Sequence, residues 1–302
     1  MFARALLPLS LALAPIRYRG YAAMATPTSS FQLQRDVFNQ TTYSQLRELW
    51  FRGQSESDAA PNSEALKRWF GVGNSPQEKE ALDEECRAIA GPALSTISPS
   101  HLVLPAFTGY AADLANANTI AAPFLDEVNR ARQEDEAEGA KTLLSLVLLL
   151  DQMPRNLFRR HEDLPIIYRH YDRLAWTLVR SILASNQILI EHSSLKSRTY
   201  WSWFLLPLMH SEDLPSHELA QQLERRWRER ANEPSEGPVA EFARNYAGSA
   251  RQHVETIERF GRYPHRNGCL GRESTGEEER YLETADTFGV TQKAGSFVKD
   301  EL

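Results

Sequence analysis

The segment FGRYPHRNGCLGRES, residues 260–274, holds three arginines, one histidine and three glycines. This positive charge stands in a chain whose 40 acidic residues outnumber its 34 basic residues. Guanidinium groups bind carboxylate and phosphate groups through paired hydrogen bonds, and a helix beginning near Ser274 would add backbone N–H groups and a positive dipole end. The segment therefore predicts a pocket for a small anion.

A second polar cluster follows an apolar helix in LLLDQMPRNLFRR, residues 148–160. The helix is hydrophobic all round, which indicates burial, and Pro154 is expected to end it at Asp151. A carboxylate there faces the negative end of the helix dipole, which costs up to about 1 kcal/mol unless a cation is near. We therefore expect Asp151 to have an arginine partner, which is Arg155, Arg159 or an arginine of the first segment.

The third cluster, HSED, ends the aromatic and aliphatic segment YWSWFLLPLMHSEDLP, which is too apolar for the surface. His253 belongs with the first segment, because it lies on the apolar stripe of a helix predicted over 238–261, between Ala250 and Ile257. Its ring should point inward. Taken alone, this histidine is best explained as a residue of the core.

If the three clusters converge, His210 or His265 could act as general acid or base, while Glu212 or Asp151 fixes its tautomer. This division of labour is usual in hydrolysis and group transfer. The residues predicted to bind the ligand are Arg155, Asn156, His253, Arg262, Arg266, Asn267 and Arg272.

Two other interpretations of these residues stay open. Arginines beside buried carboxylates can serve the fold alone, since breaking such a pair costs about 3–5 kcal/mol. A metal site built from His210, His253 and His265 has suitable ligand types, but no metal-binding spacing supports it and the arginines would repel a cation. We therefore predict neither a metal nor a cofactor.

Composition limits the class of protein. The 302 residues are 42% hydrophobic, enough for a globular core. The net charge of -6 and the lack of basic blocks interleaved with aromatic residues argue against nucleic acid as a partner. Cys86 and Cys269 form no CxxC motif. The best apolar run, residues 143–150, is too short for an integral membrane segment.

Helical periodicity recurs along the chain, with almost no strand pattern. Capping-box spacing at Ser75 and Glu78, and again at Ser274 and Glu277, marks two helix starts. Further helices are predicted around 31–51, 121–150, 166–184, 195–209, 216–231 and 238–261. The predicted fold is all-α, a single domain over 31–290 with loop insertions near 53–63, 91–120 and 232–238.

The two ends of the chain carry conflicting address signals. Residues 1–30, a presequence or disordered segment, hold several arginines and no acidic residue, which is typical of mitochondrial targeting. The apolar run over 5–14 and the KDEL that ends a disordered tail, 291–302, are typical instead of the ER lumen. A start at Met24 would give a cytosolic form. Mitochondrial targeting is favoured because arginines directly follow the apolar run.

Three segments, LDQMPRN, PLMHSED and FGRYPHRN followed by LGREST, resemble in that order the signature of the domain-of-unknown-function family numbered nine-two-four. The resemblance spans roughly Leu46 to Phe288. It implies antiparallel helix pairs similar to tetratricopeptide repeats and no established reaction. Its motif residues correspond here to Asp151, Gln152, Pro154, Arg155, Asn156, His210, Ser211, Glu212, His253, Arg262, Pro264, His265, Arg266, Asn267, Gly271, Arg272 and Glu273.

Three positions depart from the family's pattern. Met153 and Tyr263 stand where phenylalanine is usual, which keeps the apolar bulk and should matter little. Gly276 stands where a proline often opens the last helix, so the resemblance does not fix the start of that helix.

The predicted function is binding of a small anionic molecule, phosphate or carboxylate, with acid–base hydrolysis or group transfer at the same pocket. The alternative is a tetratricopeptide-like scaffold for a protein or peptide partner, in which the polar clusters form only a structural network. A closed pocket made by the three clusters would favour the small ligand, and a spread along an open groove would favour the scaffold.

Overall fold

The computed structural model describes residues 31–54, 58, 60–71, 73–185, 189–195 and 197–284. Within these ranges the chain is helical and has no β-strand, which confirms the predicted all-α class. The tetratricopeptide-like pairing of helices stays a prediction. No helix of the described ranges is long and apolar enough to cross a membrane. The predicted presequence and the KDEL tail lie outside the described residues.

The first part of the described chain forms α1 (Gln40–Trp50), α2 (Ser63–Phe70), α3 (Pro76–Thr96), α4 (Tyr110–Ala115), α5 (Ala117–Ile120), α6 (Ala122–Glu134) and α7 (Glu136–Val147). Side-chain caps fix several of these starts. Asn39 accepts the N–H of Thr42 at the start of α1, and Ser75 forms the predicted capping box with Glu78 at the start of α3.

After α7 the chain widens into a π turn (Leu148–Gln152) and continues as α8 (Met153–Leu157), α9 (Leu164–Ile166), a second π turn (Ile167–Tyr171) and α10 (Asp172–Ser185). The later helices are α11 (Arg198–Trp201), α12 (Leu206–Met209), α13 (Leu214–Arg230), α14 (Pro238–Phe260) and α15 (Gly276–Leu282).

Three predicted boundaries differ from the structure. The helix expected over 31–51 begins only at Gln40, where Asn39 caps it. The helix expected over 121–150 is interrupted at Asp135, whose extended backbone ends α6 and whose side chain caps α7. The loop expected over 91–120 is partly helical, because α3 continues to Thr96 and the short helices α4 and α5 follow.

The expectation that Pro154 ends the helix at Asp151 is wrong. A proline inside an α-helix removes one hydrogen bond and its ring clashes with the carbonyl four residues earlier. Here the preceding turn is a π turn, and the N–H of Met153 reaches the carbonyl of Leu148, five residues back. The wider turn accommodates the proline, and the chain stays helical to Leu157. Asp151 therefore lies inside a continuous helical segment.

Two predicted helix starts also change. The helix expected over 195–209 is divided into α11, a 3-10 turn (Ser202–Phe204) and α12. The capping box of α15 lies one residue later than predicted, at Thr275 and Glu278, and Gly276 is the first helical residue. Serine and threonine cap equally well in chemical terms, so spacing alone did not separate the two registers.

The largest apolar cluster joins the N-terminal helices to the segment before the site. The ring of Trp203 lies 5.2 Å from that of Trp50 in α1 and 5.1 Å from that of Trp69 in α2, both edge to face. The ring of Phe51 lies 4.5 Å from that of Tyr200, with the two ring planes tilted by 40°. The apolar run that precedes Asp151, residues 143–150, is buried, and its hydrophobic members lie in the same cluster, as predicted.

Helices α6 and α7 approach most closely at Gly139. A Cβ on this residue would lie 2.8 Å from Cβ and 3.0 Å from Cα of Arg132. We expect Gly139→Ala to lower the free energy of unfolding by roughly 1–3 kcal/mol, because the helices must move apart. Urea denaturation followed by circular dichroism measures this.

The matched control is Gly248→Ala in α14, where an added Cβ meets no atom within 4 Å. That substitution should raise stability by roughly 0.5–1 kcal/mol through helix propensity alone. Equal stabilisation by both substitutions would contradict the close approach of α6 and α7.

Candidate functional site

Asp151 links the second and third clusters of the sequence. Its Oδ1 accepts a hydrogen bond from Nδ1 of His210 at 2.8 Å, and its Oδ2 accepts one from Nε2 of Gln152 at 2.5 Å. Only 1% of Asp151 is exposed, against 18% of the His210 side chain. Because the carboxylate can only accept this hydrogen bond, Nδ1 of His210 carries a proton. Nε2 is the ring nitrogen that does not bond Asp151.

The environment keeps Asp151 ionised. Burial would raise the pKa of its carboxyl, but the charges of His210 and Arg155 and the two hydrogen bonds outweigh burial and lower the pKa. The predicted arginine partner is Arg155, whose Nη1 lies 3.7 Å from Oδ1 and donates to the Asp151 carbonyl. Arg159 is not a partner, since it pairs with Asp83.

Arg155 is held mainly by Asp172, the first residue of α10. The two side chains form a paired interaction, with Nη1 to Oδ1 at 2.8 Å and Nη2 to Oδ2 at 3.1 Å. Asp172 was not among the residues predicted from the sequence. Its signal was that it is the one acidic residue of the helix predicted over 166–184, where a buried carboxylate needs a cation.

Glu212 joins the third cluster to the first. Its two oxygens bind Nη1 and Nη2 of Arg272 at 2.6 and 2.8 Å, and one of them also accepts the N–H of Tyr263 at 2.9 Å. Burial would raise the pKa of Glu212, but Arg272 and Arg266 lower it. The Glu212–Arg272 ion pair holds the loop after α14 against the segment that follows α12.

Arg266 is the unusual member of the site. Its guanidinium carbon lies 4.3 Å from the ring centre of Tyr168 and 4.5 Å from that of Tyr263, and the residue is 6% exposed. Its Nε is buried without a hydrogen-bond partner, and its side chain makes no hydrogen bond or ion pair with the described part of the chain.

Arg266 nevertheless keeps its charge. Burial would lower its pKa, but Tyr168, Glu212 and Asp172 act in the opposite direction and raise it. Sequence analysis named Arg266 but missed Tyr168. This residue lies four positions before Asp172, so both face one side of a helical segment, and that spacing was the available signal.

Tyr263 connects these groups. Its hydroxyl donates to the carbonyl of Met209 at 2.6 Å, and its ring lies within 6 Å of the rings of His253 and His265, at 5.7 and 5.4 Å. The expectation that tyrosine in place of phenylalanine matters little is therefore wrong. The hydroxyl makes a buried hydrogen bond that phenylalanine could not make.

The other predicted histidines are weak bases. His253 donates Nδ1–H to the Ser249 carbonyl of its own helix at 2.8 Å, and burial lowers its pKa to about 3, so it is the core residue that the sequence favoured. Burial, together with Arg266, lowers the pKa of His265 well below its usual range. His217, which sequence analysis missed, bonds the Ser211 carbonyl through Nε2, and its Nδ1 is buried without a partner.

Three predicted ligand-binding residues bond elsewhere. Arg262 binds Glu278 at 2.6 and 2.8 Å and the Glu273 carbonyl at 3.0 Å, so it holds α15 rather than the site. Asn156 bonds the Gln152 carbonyl and Arg159. Asn267 donates to Ser274 at 3.1 Å, but its Oδ1 is buried without a partner.

The acidic first turn of α15, which holds Glu277, Glu278 and Glu279, disfavours the anion site expected there. In its capping box the Thr275 side chain accepts the N–H of Glu278, and the Glu278 side chain accepts the N–H of Thr275. A cavity of about 220 Å³ lies between α13 and α14, where Met209 and His217 line it together with residues of both helices. Arg266 does not line it. Among the described residues, no group of three His, Cys, Asp or Glu side chains could hold a metal ion.

Comparison with known proteins identifies relatives without an assigned activity. Residues 46–286 match the model of a family described as "Bacterial protein of unknown function (DUF924)". A solved structure of a protein of unknown function from Agrobacterium tumefaciens is 29% identical, covers 69% of this chain and 99% of its own, and has a TM-score of 0.38. No curated protein matches.

The Glu212–Arg272 pair should contribute strongly to stability. In Glu212→Gln, Arg272 would stay mostly buried without an ionic partner, since 19% of its side chain is exposed. We expect a loss of about 3–5 kcal/mol in the free energy of unfolding, measured by urea denaturation. Glu85→Gln is the control, because Glu85 binds Arg52 in the same way at the surface and should cost less than about 1 kcal/mol. Similar losses for both would refute a special role of the buried pair.

The Arg262–Glu278 pair should give the stability a pH dependence. Hydrogen bonds from Arg262 are the main cause that lowers the pKa of Glu278 from 4.5 to about 2. Because the folded pKa is the lower one, the stabilisation is present above pH 4.5 and is lost as the pH falls towards 2. The free energy of unfolding, measured by denaturation between about pH 5 and pH 3, should fall with pH in the wild type and fall much less in Glu278→Gln. An unchanged slope in that variant would disprove the assignment, and Glu277→Gln is the exposed control.

Proposed function

Because the chain belongs to the DUF924 family, whose description assigns no reaction, we propose a function from the site itself. The protein binds a small anionic molecule at Arg266. The Asp151–His210 pair then transfers a proton to or from that molecule, in a hydrolysis or a group transfer.

The observation that carries this proposal is the guanidinium of Arg266, which forms no hydrogen bond or ion pair with the residues that the structure describes. The other arginines of the site are held in ion pairs, Arg155 with Asp172 and Arg272 with Glu212. A buried charge without a partner costs several kcal/mol, and a structural network would be expected to pair it. An anion that enters beside Tyr168 and Tyr263 would supply the missing partner.

The proton-transfer role falls to His210. Its Nδ1–H is fixed by an ionised carboxylate, and its side chain is partly exposed, so Nε2 can act as general base and return the proton as general acid. His265 and His253 are less suitable, because burial lowers the pKa of each far below neutral pH. Glu212 is committed to Arg272 and serves to position the loop.

Convergence of the three clusters supports a small ligand over the scaffold alternative. Direct bonds join Asp151 to His210 and Glu212 to Arg272, and these contacts between neighbouring clusters support a common site. Most of their charges satisfy one another, and those pairs serve the fold. The functional proposal therefore depends on Arg266 and His210, and loss of Arg155 or Arg272 is expected to act mainly through stability.

We expect Arg266→Met to remove anion binding while the protein stays helical. In a thermal-shift screen, a ligand that binds only the native state raises the melting temperature according to RT ln(1 + [L]/Kd). Phosphate, phosphorylated metabolites and carboxylic acids at equal ionic strength form the panel. Loss of one charged hydrogen-bonding partner should weaken binding by about tenfold to a hundredfold.

Arg52→Met is the control, because Arg52 is an exposed arginine whose charge, unlike that of Arg266, is paired with a carboxylate. It should keep the wild-type response. A panel without any stabilising anion, or a response that Arg266→Met retains, would refute the proposal and favour a search for protein partners.

A further inference from the structure

We infer that the anion bound at Arg266 is the carboxylate of a monocarboxylic acid and not a phosphate dianion. This inference rests on the proposed function, and it follows from the charges that already surround the guanidinium. A binding site inside a protein is most stable when its buried charges add up close to zero.

The charges of the site cancel in pairs. Arg155 neutralises Asp172 through two hydrogen bonds, at 2.8 and 3.1 Å. Arg272 neutralises Glu212 through two more, at 2.6 and 2.8 Å. The positive charge that remains is that of Arg266.

Asp151 and His210 complete the count. With a neutral His210, the opposite charges of Asp151 and Arg266 give the empty site a net charge of zero, although Asp151 bonds His210 and Gln152 and not Arg266. With a protonated His210, the two form an ion pair at 2.8 Å and the site has a net charge of one positive unit. Binding of a monoanion therefore gives the site a net charge of minus one with neutral His210 and of zero with protonated His210. Binding of a dianion gives a net charge of minus two or minus one in the same two states. In either state of His210, the monoanion leaves less uncompensated charge.

Carboxylates near the guanidinium strengthen this preference. Glu212 and Asp172 both raise the pKa of Arg266, so they lie close enough for their charges to act on a ligand that replaces solvent there. A second negative charge on the ligand would be repelled by both. Arginine binds carboxylate and phosphate through similar paired hydrogen bonds, so the charge of the ligand adds a distinction that the guanidinium group alone does not make.

The two tyrosine rings favour a planar group. The ring centres of Tyr168 and Tyr263 lie 4.3 and 4.5 Å from the guanidinium carbon of Arg266, and these contacts restrain the plane of the guanidinium group. Because Nε is buried, a ligand must approach the terminal nitrogens. A carboxylate whose two oxygens lie in the guanidinium plane fits that approach.

The test compares three small probes on the full chain by isothermal titration calorimetry. These are propionate, ethylphosphonate and the neutral propionamide. Ethylphosphonate is measured at a pH where it is a dianion and at a lower pH where it is a monoanion, and propionate is measured at both pH values as the reference. The same molecule thus reports the effect of charge without a change in shape.

We expect propionate to bind about tenfold or more tightly than the ethylphosphonate dianion, and the monoanion to recover most of that difference. Propionamide should show no measurable binding. Arg266→Met should not bind propionate. Arg266→Lys keeps the positive charge but not the planar guanidinium group, and it should bind propionate more weakly than the wild type does.

The possible failures are distinguishable. If the phosphonate dianion binds as tightly as propionate or more tightly, and Arg266→Met abolishes this, the anion site stands and the carboxylate assignment is wrong. If no acid binds the wild type, or if both Arg266 variants bind propionate as the wild type does, the proposed function itself fails. Circular dichroism on each variant identifies loss of folding, and the wild-type measurements decide the ligand class without any variant.

Discussion

The loop after α14 depends on the pair formed by Glu212 and Arg272. Besides the two hydrogen bonds between the side chains, Glu212 accepts the N–H of Tyr263, and Arg272 donates to the Tyr263 carbonyl at 3.2 Å. Both backbone groups of one residue are thereby fixed by one ion pair. Tyr263 in turn bonds Met209 and lies against Arg266. The position of the unpaired guanidinium is therefore a consequence of a neighbouring pair that is fully satisfied.

This arrangement divides the charges of the site into two kinds. Paired charges contribute to stability and restrain the loop, and their removal would lower the free energy of unfolding of the protein. Arg266 adds an unsatisfied charge whose cost must be offset by that restraint and by contact with two tyrosine rings. Sites that hold a ligand are commonly less stable when empty than a fully paired network would be. The division separates the paired residues of the signature, which stabilise the fold, from Arg266, which has no such partner among the described residues.

The sequence indicated which segments meet. Charged residues beside apolar helix ends are buried, and they need oppositely charged or hydrogen-bonding partners in the protein interior. The pairs Asp151–His210 and Glu212–Arg272 follow that logic. Tyr168 and Asp172 were missed although their four-residue spacing was visible, because the direction in which their helix faces depends on a π turn that periodicity does not reveal. Sequence analysis also assigned Arg262 to the pocket, since neither spacing nor composition distinguishes an arginine that holds α15 from one that faces a ligand.

The two π turns carry a consequence for how the family's chains can change in length. Each holds one residue more than an α-helix of the same rise would need, and Asp151 and Tyr168 lie within them. Deletion of one residue from such a turn would restore a regular helix and would rotate everything beyond it by about 100°. The site therefore depends on the additional residue in each turn, and a chain that lacks either could keep its helical segments only with the polar and apolar side chains beyond the turn facing other neighbours.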